Sequence, residues 1–384
     1  MMIIERVELH HINLSLVHPF RTSFGVQTER PCILVAVYAD GMVGWGEGVA
    51  MVGPWYSEET IVTSWHMLRD HLAPAVVGQV IDSPRETPAL YAPVRGNPMA
   101  KAALENAIWD LWGQQQGKPL SALLGGVRER VKVGVSIGIQ PTLEQLLDRV
   151  DGFVGAGYQR IKIKIEPGWE VEPVRRIRER QPEIMLMADA NSAFTLADVA
   201  IFKALDQFNL LMIEQPLGYD DIADHARLQA EIKTPLCLDE SIHSVADAQA
   251  MIDLRAGRII NMKVGRVGGL TTAMQIHDMA EKAGIQMWCG GMLETGVGRA
   301  INLHLASMAN FTLPGDISAT DRYYREDIAE PPFVLNAADS TITVPDKPGI
   351  GVEVIPERVA KARSAHEVID RSAPLRKPGS QVVS

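Results

Sequence analysis

RIKIKI at 160–165, IMLMADAN at 184–191, LLMIEQP at 210–216, PLCLDES at 235–241 and IINMKVG at 259–265 are five short apolar runs, separated by stretches with helical patterning. Lys164, Asp189, Glu214, Asp239 and Lys263 lie near the ends of these runs, at intervals of 25, 25, 25 and 24 residues. A strand-plus-helix unit of a (β/α) barrel takes about 30 residues or slightly fewer. The five polar residues therefore fall at equivalent points of five successive strands. That point is the C-terminal mouth, where barrel enzymes carry their chemistry.

Working outward, VKVGVSIGI (131–139), IQMWCGG (285–291) and FTLPGDI (311–317) bring the runs to eight. Strands alternating with helices imply a parallel sheet, and the fold class is α/β: a modified TIM barrel of the (β/α)7β type. Upstream, residues 3–16 and 32–47 read as strands around a loop, PFRTSFG (19–25), and 57–75 and 98–116 read as helices, the second running from Pro98 to a stop at Gly117. The expected domains are an α+β unit at 1–128, the barrel at 129–328, and a C-terminal segment at 329–384. That segment holds a strand-like TITVP and a helix-like ERVAKARSAHEVIDR and packs back on the first domain.

Placement implies chemistry. Asp189, Glu214 and Asp239 converge from adjacent strands, and three gathered anions repel unless a cation sits between them. Carboxylate oxygens suit a hard octahedral ion, Mg²⁺ or Mn²⁺. Taken singly, each acid could equally be a helix cap or a strand-end polar group. Lys162 and Lys164 alternate with Ile161, Ile163 and Ile165, so isoleucines facing the helices leave both lysines facing the barrel axis. Lys263, on the sixth strand, stands across the ring from Lys164 on the second. Two lysines on opposite faces of one carbon are what a two-base racemisation needs. An ordinary lysine has a pKa near 10.4, too high for an efficient base, so burial and nearby cations (Lys162, Arg266, the metal) are expected to lower it. GGMLETGVG (290–298) contributes Gly291, Met292 and Glu294 near the mouth, and Ser136, Trp288 and Met292 either line a pocket or belong to the core. His10, His11, His243 and His277 read as surface or structural, with no metal-ligand spacing among the ten histidines.

The 384-residue chain carries a formal charge of −10, which disfavours nucleic acid and anionic membranes as partners. Three cysteines, Cys32, Cys237 and Cys289, without CxxC spacing, argue against disulfides or a zinc site and fit a reducing cytoplasm. No signal peptide or membrane-spanning run is evident.

The set RIKIKIEPGW, ADAN, IEQP, LDES, NMKVGRVGG and WCGGMLETG resembles the enolase superfamily, muconate-lactonising-enzyme subgroup. With PFRTSFG and FTLPGDISATDRYY it looks most like the N-succinylamino acid racemase/o-succinylbenzoate synthase group. The resemblance implies Asp189, Glu214 and Asp239 as ligands of Mg²⁺ (or Mn²⁺), with Lys164 and Lys263 as the acid/base pair. Lys162, Asn191, Arg266, Ser136, Gly291, Met292 and Glu294 are implied supports. Phe20, Phe24 and the segment 51–56 with Tyr56 are implied lid contacts from a capping domain. It implies a small-molecule carboxylate substrate, proton loss next to that carboxylate, and a homo-oligomer, octamer or dimer.

Relatives with the same machinery, a dipeptide epimerase or muconate cycloisomerase, are the alternative. Epimerases typically carry a DxD-like pair at the eighth strand, where this chain reads GDISATD, with Asp316 and Ser318. A metal-binding structural protein that has lost catalysis is disfavoured because no base or ligand is substituted. A mandelate-racemase-like enzyme is disfavoured because Lys263 stands where that branch uses a His–Asp dyad.

Overall fold

The computed structural model describes residues 1–22 and 25–371. Among them, Val135–Ile137, Arg160–Lys164, Met185–Asp189, Ile213–Glu214, Leu236–Leu238, Ile259–Met262 and Gln286–Cys289 form one sheet in sequence order, every neighbour parallel. The eighth run, 311–317, is no regular strand. It nevertheless joins the sheet's two edges: Asp316 N donates to Cys289 O (2.9 Å), and Gly134 N donates to Gly315 O (2.7 Å). Pro314 has no N–H to give a ladder. A side chain at Gly315 would meet Cys289 O at 2.7 Å, so only glycine allows this close approach. Arg160 completes the closure by donating to Pro314 O and Gly315 O from inside the barrel.

Ile161, Ile163 and Ile165 are fully buried against Leu146 and Val150 of helix Leu143–Gly155 and Val174 and Ile177 of helix Val171–Arg180. Each such burial is worth about 1.5–3 kcal/mol. A one-residue slip would turn the isoleucines inward and the lysines into the helix layer, so this alternation fixes which face Lys162 and Lys164 present.

The N-terminal sheet holds Arg6–Thr22, Gly25–Ala39 and Met42–Gly48, antiparallel, with Arg363–Asp370 added to the free edge of the first strand. Two expectations change here. Within PFRTSFG, Phe20–Thr22 and Gly25 are strand: the ladder runs on through Phe20↔Gln27 to Thr22↔Gly25, extending a long hairpin, while Ser23 and Phe24 lie outside the described residues. The helix expected after 356 stops at Ala362, and SAHEVID is strand. There the chain meets an open sheet edge, whose unpaired N–H and C=O groups it satisfies. TITVP does form a strand, Thr341–Thr343, beside Arg130–Lys132. The 57–75 reading covers Ile61–Met67, a π-helical turn at Leu68–Leu72 and Ala73–Val76.

Helix Pro98–Gln116 lies on the glycine face of Met42–Gly48, where a Cβ at Gly46 would sit 2.0 Å from Ala103 O. Two buried acids dock this domain onto the barrel. Glu47 accepts from Thr295 Oγ1 (2.6 Å) and Gly298 N (2.9 Å) at the start of helix Gly296–Ala306. Glu105 accepts from Thr271 N (3.1 Å) in the first turn of Leu270–Ala283. Carboxylates at helix N-termini are favourable. These contacts set the segment Met51–Tyr56 and the hairpin over the mouth.

Burial pushes the Glu105 carboxyl up to about 7, against the opposing bonds from Thr271 and Trp109. The folded protein then holds a proton that the unfolded chain has released, so this group's contribution to stability is full below about pH 4.5 and falls as pH rises towards 7. Glu105→Gln should flatten this decline, about 3 kcal/mol across that window. Urea unfolding of both proteins between pH 4.5 and 7.5 checks this; parallel pH profiles would contradict it.

Candidate active site

Lys164, Asp189 and Glu214 are the last residues of successive barrel strands and sit in register, Lys164↔Asp189↔Glu214. Asp239 and Lys263 follow directly after Leu238 and Met262. All five are buried. Asp189 Oδ2 accepts from Lys164 Nζ (2.7 Å) and lies 3.1 Å from Lys162 Nζ. Glu214 accepts from Lys162 Nζ (2.9 Å) and Asn261 Nδ2 (2.7 Å). Asp239 accepts from Lys263 Nζ (2.7 Å), Tyr56 Oη (3.1 Å) and, very closely, Arg266 Nη1. Gln215, in the left-handed region at φ 36°, holds the next strand end by accepting from Asp239 N (2.9 Å).

Lys162, Lys164 and Lys263 line one cavity with about 70 Å³ of water-accessible space. Its roof is the capping domain. Phe20, Thr22, Gln27 and Arg30 come from the hairpin, and Met51 and Tyr56 from the following segment. The hairpin is fixed to the mouth where Ile139 N donates to Arg21 O (3.2 Å) and Val17 N donates to Tyr323 O (2.9 Å). Tyr56 Oη accepts from Lys263 Nζ (3.0 Å), so the cap contributes a group to the lysine's own shell.

Electrostatics here is a contest between burial and pairing. Burial raises the Glu214 carboxyl well above its ordinary range, and the charges of Asp189 and Asp239 add to this against the pull of Lys162. Asp189 goes the other way: burial would raise it, but Lys164 and Lys162 hold it down. For Lys263 and Lys162 the shift runs opposite to the expectation. Burial alone would lower Lys263, yet Asp239, Tyr56 and Glu240 outweigh it and hold the ammonium above its ordinary value. Lys162 is likewise held up, chiefly by Asp316, Glu214 and Asp189. Carboxylates within bonding distance dominate over the more distant cations invoked from the sequence.

The donor set fits a hard divalent cation: carboxylate oxygens from three adjacent strand ends, with Glu214 disfavoured as an anion by its two neighbours. Among the described residues, the groups of three ligands whose atoms all fall within 4.8 Å lie elsewhere, at Glu8–His10–His366 and His277–Asp278–Glu281. At the mouth, the carboxylates are turned onto lysine ammoniums instead.

Of the other residues singled out from the sequence, Asn191 accepts from Lys164 Nζ (2.6 Å) and donates to Glu240 Oε1 (2.9 Å). Ser136, Gly291 and Met292 line the cavity, as do Phe20 and Asp316. Arg266 meets Asp239 and Tyr56, the two groups bonded to Lys263, and also donates to Ile242 O and Asn261 O. Glu294 is bonded to Asn302 Nδ2 (3.0 Å), behind Gly291, and does not line the cavity. Ser318 is buried away from it as well. Glu294 turns to Asn302 of the following helix, which spacing alone does not reveal. Trp288 is core, with Lys162 Nζ 4.9 Å above its ring and Cys237 Sγ accepting from its indole.

The sequence reading missed Arg160 and Asn261, although each stands two residues before an inward lysine and so shares its face. It also missed Gln27 and Arg30, which reach the cavity only because the hairpin folds over it.

Residues 6–125 match the N-terminal domain of the mandelate racemase/muconate lactonizing enzyme family, and residues 145–358 match the enolase C-terminal domain-like family. An o-succinylbenzoate synthase of Geobacillus stearothermophilus is 50% identical over 371 residues, covering 96% of this chain and 98% of its own. An N-succinylamino acid racemase of Thermus thermophilus is 49% identical, covering 91% and 95%. A crystal structure of an enolase-superfamily member from Listeria innocua superposes with a TM-score of 0.93 at 40% identity, covering 96% of this chain and 100% of that one.

Asp316 is locked between Arg160 Nη2 (2.7 Å) and Lys162 Nζ (2.6 Å). Asp316→Asn removes the anion shared by two buried cations, leaving Lys162 to Glu214 and Asp189 and Arg160 to backbone carbonyls, and should cost about 3 kcal/mol or more in urea unfolding. A loss under about 1 kcal/mol would show that the triad is not holding the mouth together.

Proposed function

The chain belongs to the enolase superfamily, with both domains of its mandelate racemase/muconate lactonizing enzyme branch, and from that premise we propose that it racemises N-succinylamino acids and forms o-succinylbenzoate by dehydration. Both reactions begin with loss of a proton next to a carboxylate, so one site can serve both. The observation that carries this reading is the placement of Lys164 and Lys263. They stand on the second and sixth strand ends of one ring, and both line the same cavity.

Members of this superfamily use a divalent metal, and here Asp189, Glu214 and Asp239 would hold Mg²⁺ or Mn²⁺. When bound, that ion supplies positive charge to offset the enediolate that develops as the proton leaves. Asp239, Glu214 and Asp189, once engaged in holding such an ion, would no longer keep Lys263 and Lys162 protonated, and these lysines would shift towards the base form. Lys164, aimed by Asp189 and Asn191, takes or returns the proton on one face of the carbon. Lys263, aimed by Asp239 and Tyr56, does so on the other. In dehydration, Lys164 takes the proton and assists departure of the hydroxyl, while Lys263 holds the enediolate electrostatically. The hairpin and Met51–Tyr56 keep water out.

The dipeptide epimerase alternative loses support at the irregular eighth segment. Asp316 is already committed to Arg160 and Lys162, and Ser318 does not line the cavity. No free acidic pair remains there for a substrate ammonium.

Isotope exchange tests the assignment. In D₂O the protein should wash out the α-proton of both enantiomers of an N-succinylamino acid. Lys164→Ala and Lys263→Ala should each abolish exchange of a different enantiomer, and each should lower racemisation by about 10³-fold or more. Loss of the same enantiomer's exchange in both variants, or retained exchange of both enantiomers in either, would refute the two-base reading.

A further inference from the structure

We propose a second metal site, remote from the barrel mouth, in which Glu8, His10 and His366 bind a borderline divalent transition ion such as Zn²⁺ and fasten the chain's last described strand to the N-terminal sheet. Glu8 and His10 are two apart on Arg6–Thr22 and so share one face. His366 lies directly opposite His10 on Arg363–Asp370. The three ligand atoms fall within 4.8 Å of one another. His366 Nε2 is 3.1 Å and His10 Nε2 3.8 Å from the same oxygen, Glu8 Oε2. Ligands about 2.0–2.1 Å from a tetrahedral ion stand about 3.4 Å apart, so these separations bracket what zinc requires.

A second observation points to a ligand. His10 is 6% exposed, and its Nε2 finds no hydrogen-bond partner among the described residues. Burying a polar nitrogen unpaired is costly, and this one is aimed at Glu8 and His366. Arg6 takes Glu8 Oε1 (2.9 Å), leaving Oε2 for the ion. The imidazoles stack at 4.7 Å with planes 15° apart, so both must tilt to share one ion. His366, at the surface side of the pair, has room to do so. Imidazole nitrogen selects zinc, nickel or copper over magnesium, so the two sites would not compete for one ion. Arg363 opposes binding: its Nη1 lies 3.5 Å from His10 Nδ1, where a metal-bound imidazole carries a proton.

The test uses full-length, tag-free protein, stripped of metal and then saturated with Mg²⁺, and titrates it with Zn²⁺ by calorimetry and by metal analysis after dialysis. Wild type should retain one Zn²⁺ per chain more than His366→Ala or His10→Ala, and Zn²⁺ should raise its Tm by a few degrees but not that of either variant. Glu8→Gln should weaken binding at least tenfold, and Arg363→Ala should tighten it. His366→Ala should keep wild-type Mg²⁺-dependent proton exchange, which separates loss of this site from misfolding. Equal Zn²⁺ content and equal Tm response in wild type and both histidine variants would overturn the proposal.

Discussion

Three carboxylates brought side by side at buried strand ends are the constraint on which the mouth of this barrel is organised. Asp189, Glu214 and Asp239 cannot all be ionised there without nearby positive charge. The fold supplies it from the two flanking strands: Lys162 and Lys164 from the second, Lys263 and Arg266 from the sixth strand's end. Burial and the neighbouring acids push Glu214 up, while Lys164 and Lys162 hold Asp189 down. Lys164 and Lys263, which neutralise two of the acids, are also the groups to which we assign the proton transfers.

That arrangement needs a rigid frame. The isoleucines at 161, 163 and 165 lock the second strand's facing, and Arg160 ties its start to the irregular eighth segment. Glu47 and Glu105 then fix the capping domain by accepting from the first turns of two barrel helices. The result is that Tyr56, from a different domain, bonds both Lys263 and its partner Asp239.

Much of this was legible in the sequence because it is periodic. The interval of about 25 residues located the strand ends, and the two-residue alternation oriented Lys162 and Lys164. What escaped depends on contacts between distant segments. SAHEVID is strand only because the edge of Arg6–Thr22 awaits it, and PFRTSFG extends the hairpin because Phe20 finds Gln27 opposite. The direction of the lysine pKa shifts also escaped, since it turns on contacts of 2.6–3.1 Å that spacing does not encode. His10 and His366 meet across the chain's two ends, beyond the reach of any local motif.

The central claim is that one divalent ion sits among the three acids. Binding of Mn²⁺ followed by electron paramagnetic resonance measures this without reference to turnover. The account predicts one bound Mn²⁺ per chain, displaced by Mg²⁺, with affinity reduced about 100-fold or more in Asp189→Asn, Glu214→Gln and Asp239→Asn alike. Unchanged Mn²⁺ affinity in folded samples of these variants would contradict it.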